Sequence, residues 1–378
     1  MTDSIHDMPG LYIHVPYCRS KCKYCNFYSV TNTATIPHFL TALETELALY
    51  RPSFDTFDTL YIGGGTPSVL TIRQLERIMS SVRTMYTLPG SAEITIETNP
   101  GDADFDFMQA LRTMGINRLT IGVQSFDNDV LSFLGRRHTA EEAISALETA
   151  RKAGFENVGL DLISCVPGQR IEKWMDTLDR ALTFTPEHLS CYELTIEPGT
   201  ALGRALQRGL LSVADEQRQY EFFMKTSEIL EDAGYIHYEV SNFARDISFS
   251  SRHNQKYWNH VPYLGLGPAA HSFADNTRWW NHRSLSRYIS DIDNGNRPID
   301  DSEYLSEDQL RFEALYLGLR TKRGININDF KKRYHYDLYG HKGKILDTLV
   351  KECLITNRNG YIVPTRRGLA VADTLSLL

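Results

Sequence analysis

For its first 195 residues the chain alternates between two hydrophobic periods. Short β-rich runs, each closing on Gly, Asn, Ser or Asp, predict strands over 11–15, 59–62, 93–97, 118–123, 158–163 and 188–194. Between them, amphipathic stretches with apolar residues three and four apart predict helices over 37–50, 72–86, 105–114, 140–153 and 171–184. Two of these open on capping boxes, Thr71 with Gln74 and Thr139 with Glu142. Strands joined through helices must run parallel by right-handed crossovers. Six such units predict a doubly wound sheet or a barrel, complete or partial. In either case, functional groups belong at the C-terminal ends of the strands.

Beyond residue 200 the pattern changes. A helix is expected over 215–233 and a strand over 235–240, followed by an irregular, aromatic-rich stretch over 243–280. From about residue 306 the sequence reads as helices over 307–320, 328–334 and 342–353, then a hairpin over 354–363 turning at Asn359-Gly360. Helices followed by a hairpin suggest a small winged-helix-like module. The expected domains are therefore 1–200, 201–305 and 306–378. No internal repeat or low-complexity segment interrupts them.

Composition narrows the class. The chain has 378 residues, 42% hydrophobic and 23% charged, as an ordinary soluble globular protein does. No apolar run approaches the roughly 20 residues of a membrane span. The start, Met1 to Asp7, has neither a basic stretch nor an apolar core, so no secretory signal is expected and the cytoplasm is the default. A net charge of −7 argues against a nucleic-acid binder acting through overall charge. The charge is uneven, however. Residues 307–378 hold 13 Lys/Arg against 8 Asp/Glu, leaving 27 against 39 for the rest. A basic tail on an acidic body could face a membrane surface or another protein, although a solvated surface is the simpler reading of that feature alone.

The strongest chemical signal follows the first strand: Cys18-Arg-Ser-Lys-Cys22-Lys-Tyr-Cys25. Half of the six cysteines fall within eight residues, which is no core pattern. A disulfide is disfavoured in a reducing compartment. Zinc, with His14 as a fourth ligand, is an alternative, but structural zinc usually recruits two separated pairs. Thiolates grouped this tightly suit an iron–sulfur cluster better, and a cubane held by three cysteines keeps one iron open.

The triad's CxxxCxxC spacing at the end of a first strand resembles that of radical S-adenosylmethionine (SAM) proteins. Further words narrow the resemblance to the anaerobic coproporphyrinogen oxidase-like branch and, within it, to the HemW group of heme chaperones. They are Gly63-Gly-Gly-Thr-Pro-Ser68, Glu97-Thr-Asn-Pro100, Gly122-Val-Gln-Ser-Phe126, Leu134-Gly-Arg-Arg-His138, Asp161-Leu-Ile, His237-Tyr-Glu-Val-Ser-Asn-Phe243, His253-Asn-Gln-Lys-Tyr-Trp258 and Gly265-Leu-Gly-Pro-Ala-Ala-His271. These words run through nearly the whole chain. The resemblance implies an α/β fold: a radical-SAM (β/α)6 partial barrel with an α+β extension and a small winged-helix-like C-terminal domain.

The same resemblance implies a [4Fe-4S] cluster on Cys18, Cys22 and Cys25, and SAM clamped by Gly64, Gly65 and Thr66 and lined by Tyr12 and Tyr24. Glu97, Gln124 and Asp161 lie at or just past predicted strand ends and Arg136 follows the fourth, which gathers four polar groups on one rim. There Glu97 would accept ribose hydroxyls and Arg136 would hold the SAM carboxylate as a planar fork. His253, in an aromatic loop, is the expected heme contact, with His271 and His237 as weaker alternatives. Cys165, Cys191 and Cys353 read as buried, unreactive thiols.

One departure separates two functions. The oxidases are described with a further cysteine two positions after the triad, where this chain has Phe27. The short approach to the triad also leaves little room for their substrate-covering N-terminal extension. The expectation is a chaperone that binds heme and hands it to recipient hemoproteins, with membrane-associated ones among the candidates; the alternative is an oxygen-independent coproporphyrinogen III oxidase, which uses a SAM-derived radical on propionate side chains. A DNA-binding role for the tail would rest on Lys331-Lys332-Arg333, which sits in a very short segment. No pattern indicates an oligomeric state.

Overall fold

The computed structural model describes residues 8–375; the start read above for a signal, 1–7, lies outside the described residues. Six strands, β1 (Gly10–Val15), β2 (Thr59–Gly64), β3 (Glu93–Thr98), β4 (Arg118–Gln124), β5 (Val158–Ser164) and β6 (His188–Glu193), lie side by side in chain order, all parallel. The crossovers are α1 (Ile36–Tyr50), α2 (Ile72–Met85), α3 (Phe105–Thr113), α4 (Asn128–Leu134) with α5 (Ala140–Lys152), and α6 (Ile171–Leu182). Both capping boxes form, Thr71 with Gln74 and Thr139 with Glu142. Strand register sets Leu11 beside Leu60, Ile62 beside Ile96, Ile96 beside Leu119, and Leu119 beside Val158. These side chains are buried in one continuous core, as parallel strands covered by helices require. The result is the expected (β/α)6 partial barrel.

The sheet continues at both edges. After α7 (Ala201–Gln207) and α8 (Glu216–Asp232), the short strands β7 (Ile236–Glu239) and β8 (Asn242–Ala244) add antiparallel beyond β6. After α9 (Arg252–Trp258), β9 (Tyr263–Leu266) pairs parallel with β1 on the opposite edge. There β10 (His271–Ala274), β11 (Thr277–Asn281) and, beyond α10 (Leu285–Asp293), β12 (Ile299–Tyr304) complete a 12-stranded sheet. The stretch expected to be irregular, 243–280, is therefore mostly regular: its strands have 3 to 5 residues, too few to display a period. Buried Glu46 of α1 locks this edge down, accepting hydrogen bonds from Gly267 N (2.8 Å), Asn281 Nδ2 (2.6 Å) and Tyr288 Oη (2.7 Å).

Beyond β12, α11 (Glu307–Gly318), β13 (Ile325–Asn326), α12 (Ile327–Tyr334), α13 (Leu338–Lys351), β14 (Ile355–Arg358) and β15 (Tyr361–Pro364) surround a separate core that includes Leu319, Phe330, Leu338, Leu346 and Ile362. The hairpin turns at Asn359-Gly360, both with positive φ. Glu231 of α8 ties this unit to the barrel through Arg366 and Lys322. No described helix is long and apolar enough to cross a membrane. Cys165 and Cys191 are buried as expected; Cys353 is not, because it lies in the turn just past the end of α13, at φ 58° on the surface.

Candidate functional site

A cavity of about 450 Å³ opens at the C-terminal ends of β1 to β6. The loop after β1 brings Cys18, Cys22 and Cys25 to its wall, all three thiols free. Backbone bonds fix that loop: Cys18 N donates to Val30 O, Lys23 N to Leu134 O at the end of α4, and Leu202 N of α7 to Lys23 O. Around the same cavity lie Tyr24, Gly64, Gly65, Thr66, Glu97, Gln124, Arg136 and Asp161. Six separate segments thus converge on one rim, the consequence of parallel strands whose side chains leave the sheet at one end.

The glycine run is demanded by packing. A Cβ on Gly64, which has φ +110°, would meet the His14 ring at 2.6 Å, and one on Gly65 would meet Tyr17 O at 2.6 Å. The run lets β2 close against the root of the cysteine loop. Thr66 Oγ1 then donates to Cys18 Sγ at 3.4 Å and receives Asn99 Nδ2 at 3.3 Å.

Arg136 differs from the free fork expected. Its Nη2 donates to Asn99 Oδ1 (2.5 Å) and Gly122 O (2.8 Å), while Nη1 reaches Cys22 Sγ (3.4 Å) and Tyr24 Oη (3.5 Å). The guanidinium thus places a positive charge beside a sulfur that must become a thiolate to bind iron. Its buried Nε has no hydrogen-bond partner among the described residues.

Two carboxyl groups share the cavity. Glu97 accepts from Tyr61 Oη (2.8 Å) and Gly64 N (3.2 Å). Burial, and then the Asp161 charge, push its pKa up to about 7 against those two hydrogen bonds. Burial likewise pushes Asp161 up to about 6, opposed by the Ser190 hydroxyl and the charges of Arg118 and Arg136. A pocket that makes two carboxylates costly to ionise gains most from a cationic ligand. Gln124 takes φ 66° at the end of β4, where the ladder to β5 shifts register.

Two expected contacts lie elsewhere. Tyr12 points into a neighbouring cavity, its hydroxyl 3.1 Å from His14 Nδ1. His253 is 1% exposed, with Nδ1 2.8 Å from Thr59 Oγ1 and Nε2 2.8 Å from Tyr257 Oη. Both ring nitrogens are occupied and the ring lies under Gly10, whose Cβ would stand 3.1 Å from its Cε1, so in this structure neither nitrogen carries an unspent lone pair or proton. His237 is also buried and stacks on Phe243 at 4.1 Å. Sequence reasoning missed Asn99 and Tyr61 as parts of the site. Asn99 stands inside a quoted word, and Tyr61 is the one half-exposed side chain between buried Leu60 and Ile62.

The donor chemistry fits the groups the fold implies. Among the described residues no three His, Cys, Asp or Glu side chains converge as ligands of a single ion would. In a cubane each thiolate takes a different iron, so three cysteines on one wall suffice. The acidic pair and the orphaned Arg136 Nε offer complementary contacts to a ligand that carries both a sulfonium and a carboxylate.

The fold and the site together define a radical SAM protein. A family model described as the radical SAM superfamily matches residues 12–181, and one described as the HemN C-terminal domain matches 305–371. The heme chaperone HemW of Bacillus subtilis is 32% identical over 96% of this chain and 96% of its own length, and that of Synechocystis is 37% identical over 86% and 81%. A mouse mitochondrial protein, radical S-adenosyl methionine domain-containing protein 1, is 32% identical over 99% of this chain and 88% of its own. The solved coproporphyrinogen III oxidase HemN of Escherichia coli superposes with a TM-score of 0.86 at 25% identity, covering 98% of this chain and 90% of that one. The chain belongs to the HemW family of radical SAM heme chaperones.

Proposed function

We propose that the protein is a heme chaperone: it holds a [4Fe-4S] cluster on Cys18, Cys22 and Cys25 and SAM on the strand-end rim, and carries heme to recipient hemoproteins. The observation that carries this reading is Phe27. It occupies the position of the oxidases' additional cysteine, lies 69% exposed on the cavity wall, and has no group that could move a proton or take a radical. The cluster, when bound, supplies an electron and one open iron. The protein's own contribution is to hold and orient. Arg136 sits beside Cys22, Thr66 beside Cys18, and Glu97, fixed by Tyr61 and Gly64, turns its charge toward the space a cationic ligand would fill.

The basic tail supports docking on an anionic partner, a recipient protein or the membrane around it, from the cytoplasmic side; nucleic acid is not the proposed partner. The overall likeness to a coproporphyrinogen oxidase favours the alternative enzyme reading. An anaerobic turnover assay separates the two. Reconstituted protein is incubated with coproporphyrinogen III, SAM and a strong reductant, beside an authentic oxidase. The chaperone reading expects no protoporphyrinogen while the control turns over, and expects bound hemin on titration. Product formation overturns it.

A further inference from the structure

A second cavity of about 410 Å³ adjoins the first, sharing Asn26 and Phe27 of the cysteine loop as a common wall. Its lining is mostly aromatic: Phe27 and Tyr28 come from the loop, Tyr257 from α9 and Tyr263 from β9. Tyr257 and Tyr263 meet edge to face at 4.6 Å. Flat apolar walls of this kind suit a planar macrocycle, and the volume is that of a ligand site.

Two residues give the cavity direction. His271 opens β10 as an exposed residue, and among the described residues no hydrogen bond engages its ring. Cross-strand pairing sets it opposite Trp280, on which the imidazole stacks at 5.6 Å and 27°. Its backbone is pinned as well, since a Cβ on Gly265 would strike its carbonyl at 2.1 Å. Partial burial and the Arg278 and Arg283 charges lower its pKa, which leaves a neutral, unengaged imidazole at neutral pH. The other histidine of the cavity, His14, is buried and spends both nitrogens, Nδ1 on Tyr12 Oη and Nε2 on Tyr28 O (2.9 Å). Arg283 binds the carbonyl oxygens of Asn26 and has no carboxylate partner among the described residues. It is a cation left over on an aromatic wall.

We propose that heme binds in this second cavity, with His271 as iron ligand and Arg283 paired to a propionate. The inference rests on the heme-chaperone reading and replaces His253 with a residue 18 positions downstream.

The test is hemin titration of the full-length, cluster-reconstituted protein under anaerobic conditions, followed by absorbance. Wild type is expected to bind with the spectrum of nitrogen-ligated iron. His271→Ala is expected to weaken binding about tenfold or more, with added imidazole restoring the spectrum. His271→Tyr is expected to give a phenolate-type spectrum, which a merely structural histidine would not produce. Arg283→Gln is expected to weaken hemin about threefold and leave heme dimethyl ester unchanged. If wild type binds no hemin, the chaperone reading itself falls. If wild type binds and His271→Ala and His271→Tyr leave its spectrum unaltered, the site assignment falls alone; loss confined to His253→Ala overturns it in favour of that residue.

Discussion

The acidic pair in the main cavity makes a quantitative claim about stability. Asp161 has a folded pKa near 6 against an ordinary value of 3.8, so folding raises it. The sign follows from proton linkage: a carboxyl whose pKa rises on folding favours the folded state at low pH and loses that contribution as pH climbs through the folded value. The rise of roughly two units corresponds to about 3 kcal/mol at most. Asp161 is only partly enclosed and faces a cavity that admits water, which reduces the cost of ionisation to about 1–2 kcal/mol. Asp161→Asn removes the charge, leaves an oxygen able to accept from Ser190, and relieves Glu97 of its largest charged neighbour. Cluster-free Asp161→Asn protein should therefore unfold higher than wild type by about 1–3 °C at pH 7.5. The gain should shrink as pH falls from about 6 to about 4. Differential scanning calorimetry at four pH values reads this directly. A gain that is the same at every pH, or a loss at pH 7.5, would refute the electrostatic reasoning. The same substitution should weaken SAM binding in the reconstituted protein, because the site gives up stability to hold a charge for its ligand.

Other perturbations probe separate links. Cys22→Ala should abolish the charge-transfer absorbance of the anaerobically reconstituted cluster, and a full four-iron cluster in that variant would sink the assignment of the triad. Glu46→Ala strips three buried donors of their acceptor and should cost about 3–4 kcal/mol in urea unfolding, whereas Glu46→Gln, whose amide oxygen still accepts, should cost less than half of that. Gly65→Ala must push Tyr17 O away from 2.6 Å and should destabilise the protein by about 1–3 kcal/mol even without ligand; a variant of wild-type stability that fails only to bind SAM would show the glycine acting on the ligand alone.

What could be read from the chain follows the strength of its periodic signals. The six parallel strands are long, apolar runs bounded by turn residues, and every one was expected within a residue or two of its observed span. The short α4 and the added strands β8 to β12 were not. Two turns of helix, or three residues of strand, carry too little pattern, and β12 is a polar edge strand, Ile-Asp-Asp-Ser-Glu-Tyr, with no buried face to alternate. Local sequence also could not show that Arg136 would spend its donors on Asn99, Gly122 and Cys22, because those partners lie 37, 14 and 114 positions away.

His253 shows where such reading stops. A histidine among aromatics on a short helix has the same local sequence whether it binds iron or fills a core. The outcome is decided by Thr59, 194 positions earlier, and by Gly10, which lets the ring slide beneath β1. Burial then lowers its pKa to about 3 and Tyr257 closes off the second nitrogen. His271 stands in the opposite surroundings for an equally non-local reason. Pairing of β10 with β11 holds its ring against Trp280, while among the described residues no hydrogen bond engages its nitrogens and no carboxylate pairs with Arg283, which binds Asn26. A ligand histidine needs an orientation imposed by its neighbours and a lone pair left unspent by them. On that physical criterion the exposed His271 satisfies both demands, and the buried His253 fails the second.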